Sequence, residues 1–552
     1  MKLFCFTAIF FCFIVYCAAE SENPYKSPRK FFARNDIDRI MIDHWRQQRI
    51  QPSDLCSDAS FIRRIHLDLT GTLPPREKVK RFLGSDNPDK RTELIDNLLA
   101  SDEFTLYYTL RWCDILRVKS EFPIKMWPNA VQAYHQWIWN ALRNNQPYNQ
   151  FARELLTTSG SNFREPAVNF YRGTQDRSPL GLAQIAALTF LGSRLETWPE
   201  SQQHEFAKLF SRLAFKGTAE WKEEIVYLNP APHKPFTVSM PNGILLTIGS
   251  LSDPRKAFAD WLTAPGNIWF AQAAVNRTWF WLFGRGIVHE PDDFQLVSKQ
   301  KSETVDSFWR DADCTNLGNP PVSRELLDFL AQSFIQSGYD FRTLCRLITS
   351  SSVYQQSCIA SSPEQVAEAH LAVYPLRRLD AEVLIDAFTE WGDLDTQYVS
   401  IIPEPFTFIP PEQRTIGLAD GSISSAFLET FGRPARDTGR LTERNSQVTY
   451  SQRLYLLNSP QIIWEVSNGP LLEALLEEAE NNPMNLVRNI YLTLLSRPPA
   501  EEEIRLLSAR YPGFNSSDPA NTVSKTQRQT LRKGGMKLMW ALINSKEFLF
   551  QH

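Results

Sequence analysis

Beyond its first twenty or so residues, the sequence has no apolar run approaching the roughly 20 residues that cross a bilayer. The longest later stretch, LGLAQIAALTFLG (180–192), is short enough to read as a buried helix. Charge of one sign is also lacking. A formal net charge of −3 gives no global attraction to nucleic acid or to an anionic membrane. Cysteine is sparse: Cys5, Cys12 and Cys17 sit in the first apolar segment, leaving Cys56, Cys113, Cys314, Cys345 and Cys358. No two form C-x-x-C, and no C-x-x-C-H or close Cys/His spacing is present, which excludes the usual haem-attachment and zinc patterns. Catalytic signatures are absent as well: no G-x-S-x-G elbow, H-E-x-x-H, phosphate-binding Walker loop, or G-x-G-x-x-G between a strand and a helix. With only 8 His, a Ser–His–Asp arrangement has no local signature.

What is present is ordinary globular material. The 552 residues predict more than one domain, since single cores rarely grow past about 250–300 residues. A hydrophobic fraction of 43% against 22% charged supplies a sizeable core, into which the 15 Trp and 36 Phe are expected to pack. The opening MKLFCFTAIFFCFIVYCAAESENP has a basic start at Lys2, an apolar run to about Cys17 and small residues Ala18 and Ala19. This is the layout of a Sec-type secretory signal, residues 1–19, cut after Ala19. The run is short for a retained anchor, and Tyr16 before Cys17 does not suit a lipoprotein site. An exported chain, periplasmic or at the cell surface, with five remaining cysteines leaves at least one unpaired or bonded to another molecule. Cys345 and Cys358 are the pair to consider for a bridge.

Helical periodicity dominates the rest. Ile37, Ile40, Met41 and Trp45 share a face behind Asn35 as a cap. Leu94, Ile95, Leu98 and Leu99 repeat the pattern after Pro88, and Val131, Tyr134, Ile138, Ala141 and Leu142 make another stripe. The pattern changes near residue 222. EEIVYLNPAPHKPFTVSMPNGILLTIG alternates, is rich in β-branched residues and carries a Pro-Asn-Gly turn, predicting a small β-ribbon over 223–249. Helices resume near Asp253, one of them ending at Gly284 or Gly286. Further stripes are Leu326/Leu327/Leu330/Phe334, Leu344/Ile348 and Leu379/Val383/Leu384/Ala387/Phe388. Residues 401–421, rich in Pro and Gly, read as a long ordered loop of the kind that often carries function. The last expected helices are 470–480, 484–496, 501–509 and 527–544. The expected architecture is mainly α: a helical domain 21–222, a β-ribbon or linker 223–252, and a second helical domain 253–552.

Three constellations carry charge that a site could use. Asn276, Arg277, Arg285, Asp292 and Asp293 bracket a helix end. The acidic pair could serve as acid and base or hold a hard cation, or could be pinned by the arginines as an ion-pair network. Arg377, Arg378, Asp380, Glu382 and Asp386 read as a salt-bridge face, with Arg378–Glu382 and Glu382–Asp386 spaced four apart. FGRPARDTGRLTERNS (431–446) places Arg433, Arg436, Arg440 and Arg444 on a shaped turn with Glu443. Such a cluster either cradles an anion or forms an interdomain ion-pair network. LDLTGTLPP, with Asp68 and Thr70, reads as a structural helix end before a proline turn.

Six strings in order are RRIHLDLTGTLPP (63–75), NRTWFWLFGRGIVHEPDDF (276–294), NPPVSRELLDFLA (319–331), RRLDAEVLIDA (377–387), FGRPAR (431–436) and WALINSKEFLFQH (540–552). Together they resemble exported proteins of planctomycetes and related bacteria that pair a cytochrome-like domain with a surface-type domain, both of unknown function. In many such relatives the helix matching 180–195 runs into C-x-x-C-H-x-H-P. This chain reads SRLETWPES there, with neither thiol nor imidazole for covalent haem. The resemblance therefore implies a class and no reaction. The leading expectation is an exported, non-haem binding or assembly protein, without cofactor or metal. It would recognise an anionic glycan or a surface protein through Arg433, Arg436, Arg440, Arg444, Arg277 and Arg285. The alternatives are a polysaccharide-active enzyme using Asp292, Asp293 and Glu443 as acid/base groups, and an electron-transfer protein.

Overall fold

The structure is a computed structural model that describes residues 23–27, 29–231, 233–294, 319–391, 398–410, 412–480, 482–510 and 525–552. The expected signal 1–19 and Cys314 lie outside the described residues. The fold is mainly α, with short strands.

The first helix, Asp36–Gln48, begins where the sequence places it. Asn35 accepts from the Asp38 amide while Asp38 accepts from the Asn35 amide, a reciprocal cap that satisfies two otherwise unpaired donors. Asp38 is also buried and accepts the Val353 amide at 3.0 Å, so this cap is joined to the distant C-terminal half. Helix Asp58–Thr70 is capped by Ser57 and closed by Gly71 in the left-handed region at φ 61°. Its residues from Ser60 to Thr70 are buried on every side, which marks it as a central helix rather than an amphipathic surface one.

The charges on that helix face inward and each has a partner. Arg63 donates to the Leu494 and Phe548 carbonyls at 2.8 and 2.9 Å. Arg64 donates to Tyr354, Gln356 and His552 main-chain oxygens at 2.6, 2.8 and 3.2 Å, and lies 3.5 Å from the Tyr374 ring centroid. Asp68 accepts from Tyr354 and Tyr374 hydroxyls at 2.6 and 3.1 Å and from Arg377. Asp68 is thus a structural hub that clamps segments some three hundred residues apart.

Aromatic packing joins the halves in the same way. Tyr148 of helix Tyr148–Thr157 stacks on Phe270 of helix Ile268–Phe283 at 4.8 Å, and Trp112 of helix Asp102–Ile115 meets Trp281 edge-on at 5.7 Å. One continuous buried core runs from Ile37 to Phe548. Helix Ile268–Phe283 ends at Gly284, φ 72°, the earlier of the two expected glycines. The 180–192 stretch forms helix Pro179–Ala186, widens over Ala187–Leu191 and stops at Gly192. Among the described residues, no helix is long and apolar enough to cross a membrane.

The β region differs from the single ribbon expected over 223–249. Strand Glu224–Leu228 pairs antiparallel on one side with Leu213–Gly217 and on the other with Gly160–Ser161. A separate hairpin, Phe236–Ser239 with Leu245–Ile248, turns at Pro241-Asn242-Gly243. The strand LAFKG is too short to show alternation, and its pairing partners are what make it a strand. The proposed Cys345–Cys358 bridge is absent: Cys56, Cys113, Cys345 and Cys358 are all free thiols. Burial pushes the Cys113 thiol up to about 12 and that of Cys345 well above its usual value, so both stay protonated and unreactive.

Gly71 tests the central helix. A side chain there would adopt φ 61° and meet the Tyr107 ring. Gly71→Ala is expected to lower unfolding stability by about 1–3 kcal/mol, read as a fall in the chemical-denaturation midpoint.

Candidate functional site

The arginine-rich turn is built into the interior. Gly432 at φ 79° brings the chain against the Asn445 carbonyl, and Arg436 takes φ 59°. Arg436 is fully buried and donates to Asp114 at 2.8 Å and to the Val118 and Ala419 carbonyls at 3.2 and 2.7 Å. Arg444 bridges Asp114 at 2.6 Å and Glu382 at 2.6 and 3.1 Å. Arg433 donates to the Ile423 and Asp420 carbonyls, with Glu382 at 3.5 Å. Arg111 donates to Asp380 at 2.6 Å. The result is an internal lattice of Asp114, Asp380 and Glu382 with Arg111, Arg433, Arg436 and Arg444.

Burial alone would raise the Asp380 carboxyl, but Arg111, Arg444, Arg377 and Arg378 outweigh it and hold it well below the usual carboxylate range. Asp114 is depressed in the same way, burial being outweighed by Arg444 and Arg436. Burial and then Arg436 push the Arg433 guanidinium down to about 10, so it stays charged at neutral pH. Of the two readings of this turn, the geometry is that of the ion-pair network. The guanidiniums of Arg433, Arg436 and Arg444 are turned to the protein's own oxygens. Arg440 stands apart at the surface, 3.1 Å from Glu196.

The spacing-based pair Arg378–Glu382 does not form. Arg378 donates instead to the Leu379, Phe431 and Asn445 carbonyls, and Glu382 turns to the arginine turn. Asp386 accepts the Thr415 and Ile416 amides at 2.7 and 3.1 Å.

Each of the three candidate carboxylates, Asp292, Asp293 and Glu443, is held by donors of the protein itself. Asp292 is buried and accepts the Leu441 amide at 2.7 Å, with its carboxyl raised by burial against the pull of Arg277. Asp293 pairs with Arg194 at 3.0 Å. Glu443 accepts the Asp437 and Thr438 amides and the Thr438 hydroxyl at 2.9, 3.1 and 2.6 Å, closing its own turn. Arg277 is buried over the Trp112 ring at 5.6 Å and donates to Leu188, whereas Arg285 donates to the Glu368 carbonyl at 3.3 Å. Asn276 exchanges both of its amide bonds with Val288.

The opening lies elsewhere. A cleft of about 700 Å³ runs between helices Asp58–Thr70, Arg76–Leu83 and Lys90–Leu99 and the C-terminal residues Glu390, Trp391, Arg414, Leu471 and Thr493. None of Asp292, Asp293, Glu443 or the expected arginines lines it. The size falls within the about 300–1,000 Å³ typical of ligand pockets. His66 is part of its lining and only 2% exposed. Its Nδ1 lies 2.9 Å from the Ile62 carbonyl and its Nε2 has no partner. Burial pushes this imidazole down to about 4, with the Ile62 contact opposing and Lys78 assisting. At neutral pH it is therefore uncharged, with Nδ1–H donating to Ile62 and a lone pair left at Nε2. The hydroxyls of Thr70 and Thr72 stand 2.8 Å apart beside it.

Lys78 and Arg81 project from the exposed face of helix Arg76–Leu83 on the cleft rim. Among the described residues, no carboxylate lies within 4.0 Å of either. Arg414 faces Glu390 at 3.6 Å and Asp386 at 3.8 Å, beyond hydrogen-bond reach. The sequence signal for this rim was REKVKRFL immediately after LDLTGTLPP, a basic run that the turn-and-cap reading of that motif passed over.

Two family models match the chain: PSCyt2, a protein of unknown function (DUF1549), over residues 36–198, and PSD1, a protein of unknown function (DUF1553), over 254–306 and 310–511. No curated protein and no solved structure matches. At 193–198, Leu195–Thr197 makes one short turn. There the Trp198 indole donates to Ser193 at 2.8 Å and stacks on Trp269 at 5.9 Å. The neighbouring His204 has its Nδ1 2.8 Å from the Glu200 carbonyl. A donor set with no thiol and one imidazole does not fit a covalently attached haem.

Two outcomes are expected. Asp114→Asn leaves Arg436 and Arg444 short of a carboxylate and should cost about 3–5 kcal/mol in urea denaturation. The His66 imidazole is harder to protonate folded than unfolded. Its contribution is full above about 6.5 and is lost as pH falls toward about 4. Stability measured at pH 7.5 and 4.5 should therefore fall less in His66→Gln than in the unaltered protein, by on the order of 2–3 kcal/mol.

Proposed function

The chain belongs to the proteins that join a PSCyt2 domain to a PSD1 domain, and for it we propose an exported, non-haem binding protein that recognises an acidic glycan in the 700 Å³ cleft. The support for export is the residue pattern at 1–19, and the site of action on this reading is the periplasm or cell surface.

One observation carries the choice of ligand: an uncharged acceptor at the floor stands below unpaired cations at the rim. The Nε2 lone pair of His66 repels an anion and takes an O–H donor. Thr70 and Thr72 add hydroxyl oxygens that accept, since Thr70 donates to the His66 carbonyl at 2.7 Å and Thr72 to Thr70 at 2.8 Å. Lys78 and Arg81 above them suit a carboxylate or sulfate. A ligand rich in hydroxyls that also bears acid groups satisfies both layers, and uronic or sulfated sugars have that chemistry. A simple phosphate or fatty acid would leave the imidazole unmatched. The enzyme alternative has no support here, because its three carboxylates are engaged elsewhere in the fold.

Affinity electrophoresis through polygalacturonate tests the reading. Lys78→Ala/Arg81→Ala is expected to bind about tenfold more weakly, the equivalent of about 1.4 kcal/mol, with a shallower salt dependence. Equal retardation of the double variant and the unaltered protein would remove the cleft from consideration.

A further inference from the structure

A second surface is built from three segments that the cleft does not use. The turn at 220–223 closes with the Glu223 amide on the Glu220 carbonyl at 3.2 Å. Its base is fixed by Glu223, which accepts the Ser161 and Thr218 hydroxyls at 2.6 and 2.7 Å. That turn presents Trp221 and Lys222. The 119–127 segment presents Trp127, and the Pro-rich loop beyond residue 398 presents Phe406. Glu121 ties the loop down by accepting the Ile401 amide at 2.9 Å, and Asp420 does so by accepting the Ser120 amide at 3.0 Å.

The rings meet: Trp127 lies 5.5 Å from Phe406 and 6.3 Å from Trp221. The Lys222 ammonium sits 5.2 Å from the Trp127 ring centroid and 5.1 Å from that of Trp221. Yet the cluster is open to water, with Trp221 68% and Phe406 49% exposed. Trp127 itself is held at φ 75°, ψ 146°, a backbone state that bulky side chains rarely adopt. Scattered exposed aromatics need no explanation, but a contiguous patch positioned by tied loops and a strained backbone does.

We propose that Trp221, with Trp127 edge-on to it at 82° and Phe406 tilted 58° from Trp127, forms an aromatic corner on which a pyranose ring packs, with Lys222 favouring rings that carry a carboxylate or sulfate. Indole and phenyl faces are flat, polarisable and amphipathic, and they match the C–H face of a sugar while its hydroxyls stay in water. The Lys222 ammonium, over the Trp127 and Trp221 rings, supplies charge complementarity inside the corner. A protein partner would have to desolvate this ammonium, which disfavours a dry apolar interface. A single-stranded nucleic acid also offers flat faces and anionic charge, and it is the competing occupant in the test below. The corner extends the glycan reading to a second contact and shares no residue with the cleft.

The test is affinity electrophoresis of the full chain in four gels: polygalacturonate, neutral galactan, single-stranded DNA, and no polymer. Trp221→Ala removes a mostly exposed side chain, so folding should be retained. It is expected to weaken retardation by both polysaccharides at least tenfold, and Phe406→Ala to weaken both less. Lys222→Gln should bring retardation by polygalacturonate closer to that by galactan and leave galactan unchanged. If Lys78→Ala/Arg81→Ala behaves as the unaltered protein while Trp221→Ala does not, the cleft reading fails and the corner stands. Unchanged retardation of Trp221→Ala, no retardation of the unaltered protein by either polysaccharide, or stronger retardation by single-stranded DNA would overturn the corner.

Discussion

A guanidinium taken out of water must find oxygens, and this requirement organises the molecule. Arg63 and Arg64 on the central helix, and Arg433, Arg436 and Arg444 on the later turn, are each surrounded by carbonyls or carboxylates from distant parts of the chain. The net stabilisation from such buried pairs is modest, because desolvation offsets much of the attraction. Their effect on specificity is larger. A misplaced segment would leave a charge unmatched in the interior, so the long-range register between the halves is fixed by a penalty on every alternative.

The same geometry separates charge used for structure from charge available for binding. In the lattice, three carboxylates stand among four arginines, and Asp380 is held ionised far below its ordinary range by the cations around it. At the cleft the pattern is inverted. His66 is held neutral by burial, while Lys78 and Arg81 remain solvated and unpaired. Reading arginine density as ligand affinity fails here for a physical reason: a cluster on a tight turn is the cluster most easily folded inward onto carboxylates. Lys78 and Arg81, by contrast, lie on the exposed face of a helix that packs through Val79 and Phe82.

Local features were legible in the sequence to the extent that local physics decides them. The Asn35 cap, the Gly284 stop and the stripes at Leu326–Phe334 and Val131–Ala141 follow from neighbours within a few residues, and all are found. The strand Leu213–Gly217 was not legible because only its partner Glu224–Leu228 makes it a strand. Spacing suggested that Arg378 would meet Glu382, but Asn445 and Arg444, some sixty residues on, compete for those groups and win. The cleft required knowing that the helix after Pro75 lies against Trp391 and Leu471, which no periodicity encodes. No sequence signal marks His66, whose free Nε2 follows from the burial of its helix and its place in the cleft lining.

The acceptors for Arg63 lie 431 and 485 positions downstream, and one acceptor for Arg64 lies 488 positions downstream. Loops of that length close slowly, since the entropy of closure comes before the contacts that compensate it. A chain emerging from its N-terminal side would expose the central helix, with its charges unsatisfied, until the final segments arrive. The matched segment 36–198 thus includes a helix whose buried arginines take their acceptors from residues 354–552. Until the last residues are in place, the early half therefore carries buried-type cations with no internal oxygen to meet them.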